Sequence, residues 1–128
     1  MILIVEDDLM NREALANVLT IQGLKVGTAA TGHQAIEKIH QTPTSCLVLD
    51  LNIPVMDGYA ILGLLRADPD PWIASTPVIV TTGVDLDTDE RNKLEVLGVK
   101  EVFRKPYEVS QLVEAITQNR RPVAAGQR

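Results

Sequence analysis

The chain has 128 residues, of which 45% are hydrophobic and 23% are charged, and these values are typical of one soluble globular domain with its own core. Its net charge of −5 argues against nucleic-acid binding as the main activity, because contacts to phosphate require basic patches. The single cysteine, Cys46, cannot form an internal disulfide and lies in an apolar run, so we interpret it as a core residue.

The hydrophobic pattern predicts five strands that alternate with five helices. Alternation with short connections is typical of βαβ units, and therefore of a parallel sheet with helices on both faces and right-handed crossovers. In chain order, the predicted strands cover residues 2–5, 24–28, 45–49, 77–80 and 101–104. The predicted helices begin near residues 9, 31, 58, 87 and 109.

Short polar motifs mark where several of these helices begin. Thr31 with Gln34, and Asp87 with Glu90, have the spacing of a capping box, in which each side chain accepts a hydrogen bond from the backbone N–H of the other residue. A single carboxylate after an apolar strand is most often a cap or a turn residue. We therefore expect this role for Asp8, Asp57 and Asp87.

Two segments carry no clear signal for a helix or a strand. Residues 68–75 are predicted to form a proline-broken loop, and we interpret Trp72 as an anchor for that loop. Residues 119–128 are predicted to be a flexible tail or the start of a linker. This assignment leaves residues 1–118 as the folded domain.

The stretch from residue 45 to residue 58 is the most informative part of the sequence. The apolar run at 46–49 fits a strand buried on both faces, and it leads directly into Asp50. Pro54 cannot continue a central strand and Asp57-Gly58 is a turn signal, so the chain leaves the sheet just after Asp50. We therefore expect Asp50 at the carboxyl edge of the sheet, where open α/β sheets bind ligands.

Three other strands end in polar side chains that would meet Asp50 at this edge. Glu6 and Asp7 follow the first strand, Thr81 follows the fourth and Lys105 follows the fifth. Carboxylates that share a pocket need a positive partner, and oxygen ligands of this kind suit Mg²⁺. A lysine is a good partner for a phosphoryl oxygen, and a threonine supplies a hydroxyl donor. The set indicates phosphoryl transfer onto Asp50 as the nucleophile.

Four motifs in this order and spacing resemble the receiver domain of two-component response regulators. They are Val5-Glu6-Asp7-Asp8, Leu49-Asp50-Leu51-Asn52-Ile53-Pro54 with Met56-Asp57-Gly58, Val80-Thr81-Thr82-Gly83, and Lys105-Pro106-Tyr107. The resemblance covers residues 1 to about 118. It implies an α/β fold of the flavodoxin-like, doubly wound type, with a five-stranded parallel sheet in the order 2-1-3-4-5 flanked by five helices.

The same resemblance implies a role for each residue of the site. Asp50 accepts a phosphoryl group, Lys105 contacts that group, and Thr81 moves toward it and repositions the following loop. Mg²⁺ is held by Glu6, Asp7, Asp50 and the backbone carbonyl of Asn52. The resemblance further implies a cis Lys105-Pro106 bond. The chain would be no dedicated enzyme, but would catalyse its own phosphorylation and a slow autodephosphorylation.

The sequence departs from the family pattern at two positions near the site. Val102 stands where many receivers carry the aromatic residue that couples to the switch threonine, and Phe103 is expected to point to the opposite face because side chains alternate along a strand. Thr82 is larger than the small residue often found after the switch threonine. We expect Thr82 to alter the attack of water on the phosphoryl group.

Two other functions compete with a phosphorylation switch. A phosphatase of the haloacid dehalogenase type also uses an Asp nucleophile with Mg²⁺, but it requires a second Asp two residues later as the general acid, where this chain has Asn52. A phosphorylation-independent binding module, or pseudo-receiver, usually loses part of the acidic pocket, the acceptor or the lysine, and all of them are present here. The pseudo-receiver is therefore the alternative.

The resemblance also implies the partners of the chain. The phosphoryl donor would be a sensor histidine kinase or a histidine phosphotransfer protein, and the signal would leave through the face formed by the fourth predicted helix, strand 5 and the fifth predicted helix. That face would bind a downstream protein or a second copy of the chain in a homodimer. Because the first strand begins at Ile2 and no apolar run approaches membrane-spanning length, we expect a cytoplasmic protein without direct contact to membrane or nucleic acid.

Overall fold

A computed structural model describes residues 1–123 of the chain. The described residues form five strands and six helices. They are β1 (Ile2–Val5), α1 (Leu9–Ile21), β2 (Val26–Ala29), α2 (Gly32–Gln41), β3 (Cys46–Asp50), α3 (Gly58–Arg66), α4 (Pro71–Ala74), β4 (Val78–Thr82), α5 (Thr88–Val96), β5 (Val99–Arg104) and α6 (Val109–Asn119).

All five strands pair in parallel, in the order β2-β1-β3-β4-β5. This confirms the predicted doubly wound α/β fold and its strand order. The sequence missed one helix, because the predicted loop at 68–75 contains α4, a single helical turn. Pro71 stands in the first turn of α4, where its missing N–H is no cost, and the side chain of Asp70 accepts a hydrogen bond from the Trp72 N–H.

Two buried clusters cover the two faces of the sheet, because successive side chains of a strand point to opposite sides. In β1, Leu3 and Val5 belong to the cluster beneath α2, α3 and α5, whereas Ile2 and Ile4 belong to the cluster beneath α1 and α6. Strands β1, β3 and β4 are buried along their whole length. Their continuous apolar sequences, including Cys46, are explained by this burial on both faces.

The predicted caps are confirmed with one correction. Carboxylates cap three helices as expected, and they are Asp8, Asp57 and Asp87. Asp87 and Glu90 form the full capping box. Thr31 caps α2, but the Gln34 side chain accepts its hydrogen bond from the N–H of Ala30 and not from that of Thr31, so the second half of this predicted box is wrong.

The end of the described chain returns to the body of the domain. After α6, the backbone N–H of Arg121 donates to the carbonyl of Ser45 at 3.0 Å. The predicted boundary at residue 118 stays a prediction, and the part of the predicted tail at 124–128 lies outside the described residues. Within residues 1–123, no helix combines the length and the apolar character that a membrane span requires.

Candidate functional site

The topology brings the predicted acids together at the carboxyl edge of the sheet. Strands β1 and β3 are neighbours in which Val5 pairs with Leu49, so Glu6 and Asp50 leave adjacent strands at the same level. Carboxylate oxygens of Glu6, Asp7 and Asp50 all lie within 4.8 Å of one another. Glu6 and Asp50 are buried, whereas Asp7 is exposed at the mouth. The arrangement concentrates negative charge at one edge.

Lys105 supplies the positive charge within this cluster. Its Nζ donates to Oε1 of Glu6 at 2.9 Å and to Oδ2 of Asp50 at 3.0 Å. The backbone N–H of Lys105 bonds to the carbonyl of Thr82 at 2.7 Å, which places the lysine at the end of β5 beside β4. The peptide bond between Lys105 and Pro106 is cis, as expected.

Glu6 has one satisfied oxygen and one orphaned oxygen. Oε1 accepts hydrogen bonds from Lys105 and, at 3.2 Å, from the side-chain amide of Asn11. Oε2 is buried and has no hydrogen-bond partner among the described residues. Because a buried polar atom without a partner is costly, the unpaired oxygen points to a ligand that completes the pocket.

The ionisation of the cluster follows from burial and proximity. Burial and the neighbouring Asp50 raise the pKa of Glu6 to about 7, although Lys105 opposes this shift. Burial also acts to raise the pKa of Asp50, but the interaction with Glu6 and the hydrogen bonds from the Asn52 N–H and from Lys105 outweigh it, so the pKa lies below its usual value. The pKa values of the two acids are thereby separated, and Asp50 stays ionised, as a nucleophile requires.

Two residues of α1, which the sequence analysis did not assign to the site, support the segment that carries Glu6 and Asp7. Arg12 donates from its guanidinium to the backbone carbonyls of Glu6 and Asp7, at 2.8 and 3.3 Å. Asn11 holds the Glu6 carboxylate from the same helix, α1. Asn11 and Arg12 lie five and six residues after Glu6, in the first turn of α1, which faces the end of β1. This spacing is a local sequence signal from which both contacts could have been predicted.

A hydrogen bond crosses from the β3–α3 loop to the end of β4. The hydroxyl of Thr82 donates to the side-chain oxygen of Asn52 at 3.0 Å and accepts from the N–H of Val84 at 3.3 Å. The backbone N–H of Asn52 donates to Oδ1 of Asp50 at 3.0 Å. Asn52 therefore connects Thr82 directly to the predicted phosphoacceptor.

Thr81 lies at the register position opposite Asp50, and the residue is only 4% exposed. On its other side Thr81 pairs with Phe103 of β5. Val102 packs with the α2, α3 and α5 cluster, whereas Phe103 packs with the α1 and α6 cluster, which confirms that the two residues point to opposite faces. The aromatic neighbour of Thr81 in the sheet is therefore Phe103.

The loop after Asp50 is held in an unusual conformation. Val55 is fully exposed and has a φ of 70°, a region that β-branched residues rarely adopt. Gly58 closes the loop by donating from its N–H to the carbonyl of Leu51, and a Cβ at residue 58 would lie 2.7 Å from the Leu51 Cα. This close approach explains why glycine follows Asp57 at the start of α3.

Comparison with known proteins relates the chain to one protein family. The family model for the response regulator receiver domain matches residues 2–117. The transcriptional regulatory protein KdpE of Mycobacterium tuberculosis is 33% identical over 109 residues, which are 84% of this chain and 45% of KdpE. The chain thus spans less than half the length of this curated relative.

Two solved structures share the whole architecture. A response regulator receiver protein from Pseudomonas putida superposes with a TM-score of 0.84 at 27% identity, covering 91% of this chain and 94% of that one. The receiver domain of the sensor histidine kinase PA1611 of Pseudomonas aeruginosa has a TM-score of 0.79 at 27% identity, with 92% and 94% covered. That structure has a magnesium ion coordinated in its active site cleft.

The crowded acids predict that the metal-free fold is destabilised by its own site. Because the folded pKa of Glu6 is about 7, against an ordinary value of 4.5, folding binds a proton between these values, and stability is lost as the pH rises through this window. Glu6→Gln mimics the protonated form. We expect it to raise the free energy of unfolding by about 1 kcal/mol at pH 8 and to change it little at pH 4.5.

Urea unfolding in EDTA at both pH values measures this difference. Glu13→Gln, the same change at an exposed site on α1, is the matched control and should leave stability unchanged at either pH. A Glu6→Gln variant that is less stable than wild type at pH 8 would contradict the prediction.

Proposed function

Because the chain belongs to the response regulator receiver family, we propose that it is a phosphoacceptor switch in which Asp50 accepts a phosphoryl group in a Mg²⁺-dependent reaction. The observation that carries this proposal is the position of the Asp50 carboxylate. It is ionised and lies at a sheet edge, between the Lys105 ammonium and two further carboxylates. No other aspartate of the described chain has these neighbours.

The reaction would form one bond and break one. An oxygen of Asp50 attacks phosphorus, the P–N bond of a phosphohistidine breaks, and the imidazole leaves with the electron pair. Hydrogen bonds from Lys105 and from the Asn52 N–H hold the carboxylate in place before attack. Lys105 keeps its proton throughout, since the carboxylates outweigh burial and raise its pKa, so it stabilises negative charge and does not act as a base.

The residues present fit a magnesium ion. Three carboxylates, among them that of Glu6 with its orphaned Oε2, form a hard, oxygen-only donor set, which is what Mg²⁺ prefers. We propose that Glu6, Asp7 and Asp50 hold the ion together with the backbone carbonyl of Asn52. The bound ion supplies charge neutralisation for the phosphoryl oxygens.

We propose a histidine kinase or a histidine phosphotransfer protein as the phosphoryl donor. The proposed output surface is the face formed by α5, β5 and α6, which would bind a downstream protein or a second copy of the chain. Its support is that β5 is an edge strand of the sheet, has no fully buried residue, and pairs with Thr81 through Phe103. A shift of Thr81 toward Asp50 would therefore be felt first by β5.

Neither competing function accounts for this site as well. Asn52, at the position where a haloacid dehalogenase phosphatase needs its general acid, has an amide side chain that accepts a hydrogen bond from Thr82. A pseudo-receiver would not need a buried acceptor, an orphaned ligand oxygen on Glu6 and a lysine that contacts both Asp50 and Glu6. It remains the alternative to be tested.

Substitution of the acceptor tests the proposal directly. With acetyl phosphate and Mg²⁺, the wild-type chain should gain the mass of one phosphoryl group, and EDTA should prevent the gain. Asp50→Asn should reduce the rate of modification below about 1% of wild type, because an amide is no nucleophile. Intact-protein mass spectrometry follows the reaction.

The matched control is Asp57→Asn, seven residues along the chain. Asp57 caps α3 through its side chain, and asparagine caps a helix as well as aspartate does, so this variant should be modified like wild type. A wild-type chain that binds Mg²⁺ but is never modified would favour the pseudo-receiver.

The bond between Thr82 and Asn52 predicts a long-lived phosphoryl group. Thr82→Ala removes both the methyl group and the hydroxyl from the edge of the pocket, which should admit water and speed dephosphorylation about 3- to 10-fold, as expected for the loss of one hydrogen bond. Thr82→Val keeps the bulk but not the hydrogen bond. Decay of the phosphorylated mass with time compares the three proteins, and an unchanged rate in Thr82→Ala would refute the role of Thr82.

A further inference from the structure

At the opposite edge of the sheet, the side chain of Arg121 occupies a fully formed receptacle. An arginine has five N–H donors. Here all five meet acceptors: Nε and Nη2 donate to the Thr44 carbonyl at 3.3 and 3.2 Å, Nη2 also donates to Oγ1 of Thr76 at 2.9 Å, and Nη1 donates to Oγ of Ser75 at 3.1 Å and to the carbonyl of Trp72.

The receptacle has an aromatic wall. The guanidinium carbon of Arg121 lies 3.5 Å from the centre of the Trp72 ring, which is the geometry of a cation–π contact. A planar guanidinium suits this combination of surrounding acceptor oxygens and an aromatic ring against its face, whereas an ammonium group does not. We refer to Thr44, Trp72, Ser75 and Thr76 as the guanidinium socket.

Part of the socket is formed by α4. Trp72 belongs to α4 and Ser75 caps its end, so the helical turn that the sequence failed to predict supplies the aromatic ring and two of the five hydrogen bonds. Arg66 fixes the same segment by donating to the carbonyls of Ala74 and Thr76. The socket is therefore held in place by contacts within the domain, and Arg121 enters it from the segment that follows α6.

The socket joins the amino ends of the two strands that carry the candidate site. Thr44 and Thr76 stand two residues before β3 and β4, whereas Asp50 and Thr81 stand at or next to the carboxyl ends of these strands. A strand of five residues is about 16 Å long, so the socket and the site lie at opposite edges of the sheet.

We propose that the guanidinium socket is an intramolecular binding site that anchors residues 120–123 to the amino-terminal edge of the sheet. The folded domain then extends past the predicted boundary at residue 118. This proposal does not depend on the phosphorylation chemistry of Asp50.

Trp72 is the only tryptophan of the chain, so its fluorescence reports the socket. Arg121→Ala should shift or intensify the Trp72 emission and speed exchange of the residue 121 amide about tenfold or more, since this N–H bonds to Ser45 in the anchored chain. Arg120→Ala changes the neighbouring, exposed arginine and should leave both signals unchanged.

Chemical rescue separates a binding site from general destabilisation. Methylguanidinium at low millimolar concentration should restore the wild-type emission of Arg121→Ala, whereas methylammonium should not, and Arg121→Lys should behave like the alanine variant. The wild-type protein alone provides a measurement that needs no variant: the Arg121 amide should exchange at least about tenfold more slowly than that of an unfolded chain. Unprotected exchange there, or equal rescue by both cations, would overturn the proposal.

Discussion

The repulsion among three carboxylates at one edge of the sheet is the constraint on which the rest of this site depends. Glu6, Asp7 and Asp50 converge because parallel strands end at the same level, and among residues 1–123 only the cation of Lys105 touches two of them. One lysine cannot neutralise three acids. The raised pKa of Glu6 and its orphaned oxygen are two consequences of this imbalance, and both would be relieved by a divalent cation.

The fold tolerates this charge because each residue of the site lies at or just after the end of a rigid strand. Three central strands, buried on both faces, end at the pocket, and their packing fixes the positions of Asp50 and Thr81 to within the register of the sheet. The loop after β3 carries further strain at Val55, whose positive φ is unfavourable for a β-branched residue. Strain and charge are thus confined to one edge, while the two hydrophobic clusters below supply the stability.

Much of this could be predicted from the sequence, for a physical reason. Apolar runs that end in polar residues locate the carboxyl ends of buried strands, and once the strands are parallel the convergence of Glu6, Asp50 and Lys105 follows. Contacts that depend on distant partners were not accessible. Helix α4 is a single turn, too short to show helical periodicity in the sequence. The Gln34 side chain accepts from the N–H of Ala30, whereas the capping-box spacing predicted the N–H of Thr31. The pairing of Thr81 with Phe103 could not be predicted without the register between β4 and β5, which shifts between Val78 and Ile79.

Arg121 shows the limit of such prediction most clearly. An arginine in a polar C-terminal stretch has the sequence signature of a solvated tail, and no local pattern distinguishes it from Arg120. Its environment is decided by the amino ends of β3 and β4 and by α4, which lie at least 45 positions earlier in the chain. Because a partly buried guanidinium is stable only when its donors are satisfied, the complete set of five contacts is what makes an anchored conformation preferable to a solvated one. The same two strands therefore connect an edge that is poor in positive charge, at Asp50, with an edge where all five donors of a guanidinium are satisfied.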